Sequence, residues 1–140
     1  MASTSFEQQV LAWQRKAEAA MTATLKEAAQ ELTEQANASR FKGGNTPIDT
    51  GFLRNSFNGA VNSIPSGRGT APKGYKNTDF DAGPALLAIN SVKIGDRLVL
   101  GWTANYAIYM EARYSFMRRA AQNWDTIAAQ SARKVRRAIG

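Results

Sequence analysis

Cysteine and histidine are both absent from the 140-residue chain. The first absence excludes disulfides, thiol catalysis and cysteine zinc sites. The second removes haem ligation by histidine, histidine metal ligands and any triad built on histidine. Long hydrophobic runs are missing too. The longest unbroken apolar stretch, Ala85 to Ile89, falls far short of the ~20 residues that cross a bilayer. Glu7, Arg15, Lys16 and Glu18 interrupt the first twenty residues, so no secretory core is read there. Acidic residues are scattered, without the spacing of a metal site or a glycosidase pair. There is no Gly-Lys-Ser/Thr, and Gly67-Arg68-Gly69 lacks the strand–helix context of a phosphate loop. With 44% apolar and 21% charged residues, the chain is expected to form one soluble globular domain. It is expected to fold in a cytoplasm, with no cofactor, metal or membrane partner.

What the chain has in excess is positive charge, and it is concentrated. Lys plus Arg is 18 against 11 Asp plus Glu, a net charge of +7. Residues 1–40 carry net −1, 41–83 net +2, 84–111 net zero and 112–140 net +6. A basic end of this kind suits nucleic acid or an acidic protein surface. The plain alternative is a solvated helix face that aids solubility.

Residues 5–38 predict one long helix. Phe6, Val10, Trp13, Ala17, Met21, Leu25, Ala28, Leu32 and Ala36 recur at steps of four and three, on one stripe. Ser3, Thr4 or Ser5 is the expected cap, and Glu7 suits the positive end of the dipole. Such a rod, roughly 50 Å long, is too long for a domain of this size to cover. Part of its stripe is expected to meet another subunit. Residues 41–48 break the helix with Gly43, Gly44 and Pro47. Residues 49–57 predict a short helical turn, capped by Asp49 or Thr50, that leads into a strand. Phe57, Val61 and Ile64 are the core candidates of residues 56–64.

Residues 65–84 are rich in Gly and Pro and are read as a long exposed loop, mobile in the free protein, that suits binding. Arg68, Lys73, Tyr75 and Lys76 are its candidate partner contacts. Residues 85–94 lean towards helix, with Leu86, Ile89 and Val92 inward. Gly95-Asp96 signals a turn, and 97–103 a strand with Leu98, Leu100 and Trp102 on one face. A short helix is expected over 104–113 and a second long helix over 115–138, capped by Ser115. That last helix carries Arg133, Lys134, Arg136 and Arg137, the candidate contacts to DNA or to an acidic partner. The fold class expected is α+β: a long N-terminal helix, a small antiparallel sheet with a large loop, and a long C-terminal helix. Trp13, Trp102 and Trp124 are expected to anchor the core.

Two features invite enzymatic readings. Asp49-Thr50-Gly51 matches the aspartic protease tripeptide, and a dimer would supply the second carboxylate. Its context is wrong: it follows Gly-Gly-Asn-Thr-Pro-Ile between two helices, whereas the protease tripeptide ends an apolar strand. A turn or cap, with Gly51 allowing a tight backbone, fits better. Glu111 sits in a short apolar helix with no evident catalytic partner. A hydrogen bond or a salt bridge, with Arg54 or Arg113 as candidate partners, is the expected use of its carboxylate. No active site is read, and the chain is not expected to be an enzyme.

The run Thr46-Pro47-Ile48-Asp49-Thr50-Gly51-Phe52-Leu53-Arg54-Asn55-Ser56 and the later Asn105-Tyr106-Ala107-Ile108-Tyr109-Met110-Glu111 occur in a set order. Phe116-Met117-Arg118-Arg119-Ala120-Ala121 follows them. Together they resemble the motifs of the tailed-bacteriophage neck or tail-completion family of small minor tail proteins. The resemblance implies a structural virion protein that is made in the host cytoplasm. Its copies would form a ring of roughly six or twelve subunits at the head–tail junction. Implied partners are head-completion or connector proteins, tail terminator or tail tube proteins, and genomic DNA in the channel. Pro47, Asp49, Thr50, Gly51, Leu53, Arg54, Tyr106, Ala107 and Glu111 would then hold the fold together. The competing function is a small DNA-binding protein that uses the basic C-terminal helix without base readout.

Overall fold

The computed structural model describes residues 5–38, 51–67, 69–77 and 79–139. The elements run α1 (Phe6–Asn37), α2 (Phe52–Asn55), β1 (Phe57–Val61), α3 (Gly83–Ser91), β2 (Leu98–Trp102), α4 (Ala107–Tyr114), α5 (Phe116–Gln122) and α6 (Trp124–Ile139). The α+β expectation holds, with a long first helix, an antiparallel pair of strands and helices at the C-terminal end.

α1 is uninterrupted because no Gly or Pro enters it. Ser5 caps it in a capping box: its Oγ accepts from the Gln8 N–H, and the Gln8 side chain accepts from the Ser5 N–H. The far end is tied down by Asn37, which is buried. Its Nδ2 donates to the Thr33 carbonyl, its Oδ1 accepts from Trp102 Nε1 at 3.0 Å, and its own carbonyl accepts from Arg54 Nη1. One side chain thus joins α1 to the sheet.

β1 and β2 pair from Phe57 opposite Trp102 to Val61 opposite Leu98. The open end is closed by Asn62, whose φ of 61° lets the chain turn and whose Oδ1 accepts from the Arg97 N–H. α3 lies on this pair. Gly59 is where it comes closest: a Cβ there would stand 3.1 Å from Ala88 Cβ and 2.7 Å from a Leu100 methyl. Ala85, Ala88, Ile89 and Val92 are buried beneath it.

Trp102 is the centre of the aromatic packing. Its ring lies 5.0 Å from Phe57 and 4.6 Å, edge to face, from Phe116. Phe116 packs with Phe52, Leu53 and Ala104 in the main buried cluster, edged by Tyr75, Tyr106, Met110 and Tyr114. α5 therefore starts near the end of α1, and α6 runs back along α1 antiparallel to it. Lys134 Nζ meets Glu27 Oε1 at 2.6 Å. Glu27 holds the Lys134 ammonium above its ordinary pKa, aided by Glu31 and Glu34 on the same helix. A pair this exposed adds little stability.

Several expectations are corrected here. The C-terminal helix is two helices, because at Asn123 the N–H turns to the Ala120 carbonyl instead of continuing the α ladder. Ser115 is left-handed (φ 55°) and makes no side-chain cap. α2 takes Gly51 as its cap residue, at φ 85°, in place of Asp49 or Thr50. Ile64, a core candidate, is 86% exposed. Trp13 is 71% exposed and Trp124 borders on exposed, so of the three tryptophans only Trp102 anchors the core.

The turn before β2 matches expectation. Gly95 has φ 94°, and Asp96 accepts from the Lys93 N–H and from Asn62 Nδ2. Those two donors, Asn62 first, pull the Asp96 carboxyl below its ordinary value of 3.8. The folded form therefore favours the ionised carboxylate, and its contribution is present above that value and lost as pH falls through the depressed pKa. Asp96→Asn should be less thermostable than the parent at pH 6. The gap should narrow steadily in melting scans below about pH 4.

Candidate assembly surfaces

The second half of α1 is buried on a face of small residues: Ala28, Ala29, Thr33, Ala36 and Asn37. Small side chains let α5 and α6 approach closely. The large apolar residues of the first half lie elsewhere. Phe6, Val10, Trp13 and Met21 form a stripe turned roughly a third of a revolution from that face on a straight helix. All four are exposed, Phe6 to 80%, and every residue from 5 to 16 is exposed. The first half of α1 therefore projects beyond its own domain, about 20 Å of free rod. The stripe read from the sequence is real only in parts: Ala28 and Ala36 are buried, Leu25 and Leu32 half-buried, and the first half uncovered.

A second apolar surface lies at the junction of α4 and α5. Trp102, Ala104, Ala107, Ile108, Phe116 and Met117 line a groove of about 390 Å³. α4 divides the residues of its motif between two sides. Tyr106, Ala107 and Met110 lean on the core cluster, while Ile108 and Tyr109 face solvent, 76% and 73% exposed. Glu111 shapes the groove's end, and its carboxylate is used in hydrogen bonds as expected, with backbone N–H groups in place of Arg54 or Arg113 as partners. Its carboxylate accepts the N–H groups of Met117 at 2.7 Å and Arg118 at 3.0 Å, which caps α5 in place of Ser115. Glu111→Ala should cost about 1–2 kcal/mol in urea unfolding, as lost helix caps do. A midpoint equal to the parent's would refute that role.

Arg54 faces the opposite side of the core. It donates to the Asn37 carbonyl at the negative end of α1 and lies 5.5 Å from the Phe80 ring centre. Leu53 is buried, and Gly51 supplies the left-handed entry to α2. Pro47, Asp49, Thr50 and Arg68 lie outside the described residues.

The segment over 65–84 is a mostly exposed loop as expected where it is described, and side chains of the body tie it down. Asn55 Nδ2 donates to the carbonyls of Asn77 and Asp79, and its Oδ1 accepts from the Asp81 N–H. Asn58 Nδ2 holds the Ser66 carbonyl, and the Asn105 N–H holds that of Gly69. Tyr75, half-buried, packs edge-on against Phe52 at 5.3 Å at the edge of the core cluster. Lys73 and Lys76 are exposed as expected. Asn55 is the clamp that sequence reasoning missed. An Asn at the last position of a short helix is the one local signal of it.

The basic end is partly used internally. Lys134 pairs with Glu27, while Arg133, Arg136 and Arg137 stand exposed on α6. Among the described residues no group of three or more Asp, Glu, His or Cys is placed to hold a metal ion. Among the same residues, no helix is long and apolar enough to cross a membrane. Protein-family models, curated proteins and solved structures give no match to this chain.

Proposed function

We propose that this chain is a structural subunit of a tailed-bacteriophage neck, which joins tail to head as a ring around the DNA channel. One observation carries the proposal: the exposed stripe of Phe6, Val10, Trp13 and Met21 on a rod that its own domain leaves uncovered. An exposed apolar surface of that size on one helix marks a protein contact. A head-to-tail contact between identical chains closes into a ring when its rotation divides a full turn. The motif positions add support, since Leu53, Arg54, Tyr106 and Glu111 all brace the body that carries the rod. Nothing in this role needs a catalytic group.

A second reading rests on Arg133, Arg136 and Arg137, which are exposed together on α6 and suited to phosphate contact without base readout. The two are separable by deleting the gene from the phage genome that carries it and viewing the particles by electron microscopy. Filled heads and separate, complete tails are the expected result. Particles that join normally would overturn the neck assignment and leave the DNA-contact reading.

A further inference from the structure

We infer that the projecting half of α1 docks in the α4–α5 groove of a second copy, so that the rod of each chain fills the groove of the next. The inference rests on the assembly reading above and names the two faces that meet. The chain carries both an uncovered set of large apolar side chains and an apolar groove open to solvent. They cannot meet within one molecule. Asn37, at the end of α1, is hydrogen-bonded to Trp102 in the groove wall. Trp13 lies 24 residues earlier on the same unbroken helix, about 36 Å away along its axis. Only another chain's rod can reach the groove.

The areas and charges agree. Phe6 and Trp13, mostly exposed, offer on the order of 300 Å² between them at the usual size of aromatic side chains. Val10, Met21 and the flanking rod bring this towards the roughly 800 Å² per partner of a stable interface. The groove is roomy enough for a large aromatic side chain, and Gly101 is among its lining residues, where a Cβ would stand in open space. Glu7 and Glu18 share one flank of the apolar stripe by helical position. Exposed Arg118, whose N–H is held by Glu111 at the groove's end, stands where one of those carboxylates would meet it. Rod and groove are different surfaces, so the contact is heterologous and propagates from chain to chain.

The absence of cysteine makes the test direct. Ala17→Cys places a thiol on the stripe without removing a large side chain, and Ile108→Cys places one at the groove's rim. With a short bismaleimide, neither variant alone should cross-link, and the two mixed should give a dimer. A chain carrying both substitutions should give a series of dimers, trimers and longer products. Gly101→Leu, which adds a bulky side chain at a groove-lining position where the backbone has room, should reduce the mixed product at least about tenfold, as loss of a central contact does. Cross-linking of Ala17→Cys with itself would overturn the inference in favour of paired rods. So would the absence of mixed product at any concentration, or a mixed yield that Gly101→Leu leaves unchanged. None of these failures touches the deletion experiment, which is read on whole particles.

Discussion

Phe116→Ala should remove about 3–5 kcal/mol of folding stability, the largest loss expected from any single truncation in this chain. Phe116 is 1% exposed and meets Trp102 edge to face at 4.6 Å. It packs with Phe52, Leu53 and Ala104, so one ring joins α2, the end of β2 and α5. Removing it leaves a cavity that the aromatic neighbours cannot fill without leaving their own contacts. The same residue opens α5, and α5 sets the path of α6 along α1. Natural domains retain about 5–15 kcal/mol in all, so the loss is a large share of the total. In thermal scans it corresponds to a fall of roughly 10–20 °C for a chain of this size. Urea unfolding followed by tryptophan fluorescence reads it directly, because Trp102 is the packed neighbour. Met117→Ala, one residue on and half exposed, is the control and should stay within about 0.5 kcal/mol. A Phe116→Ala midpoint as close to the parent's as the control's would mean the cluster does not hold the fold.

Much of the element order was legible from the residues, and the reasons are local. α1 shows through its unbroken run and its Ser5 cap, and the β2 turn through Gly95-Asp96. α3 shows through Leu86, Ile89 and Val92, of which the last two are fully buried. The misses come from distance and from size. No local pattern announces that Glu111 will cap a helix beginning at Phe116, because Ser115 must first turn left-handed. Nothing near Asn55 shows that Asn77, Asp79 and Asp81 will arrive beside it. Of the stripe expected on α1 only the small Ala28 and Ala36 are buried, because helices pack closest over small residues. Ala29, Thr33 and Asn37 are buried where the stripe did not run. Residue type alone points Trp13 and Trp124 to the core, since tryptophan is highly buried on average. Trp13 is exposed because it lies on the part of α1 that extends past its neighbours, and that depends on how far α6 reaches. The candidate surfaces are correspondingly half legible: the surplus apolar rod is expected from the residues, but the α4–α5 groove appears only once α4 and α5 are folded.

Replacing Phe6 and Trp13 together by aspartate should abolish self-association while leaving the folded domain as stable as before. The two rings are exposed and touch no part of the buried cluster, so their removal opens no cavity. Surface changes of this kind usually move stability by less than about 0.5 kcal/mol. At Phe6 the charge lies in the first turn of α1, where the helix dipole favours it, so the rod itself should persist. At an interface the same substitutions act twice. They remove the aromatic side chains that would fill the partner's groove, and they place two carboxylates where no solvent could reach them. Truncation of a central aromatic contact alone costs about 2 kcal/mol or more, and an unpaired buried charge adds several more. Losses of that combined size weaken an association by at least about a thousandfold, enough to hold the chain as a monomer across the working range. Light scattering with size-exclusion chromatography at rising concentration measures the association, and circular dichroism confirms unchanged helix and melting temperature. A double variant that still assembles as the parent does would show that the projecting half of α1 is not the surface by which copies meet.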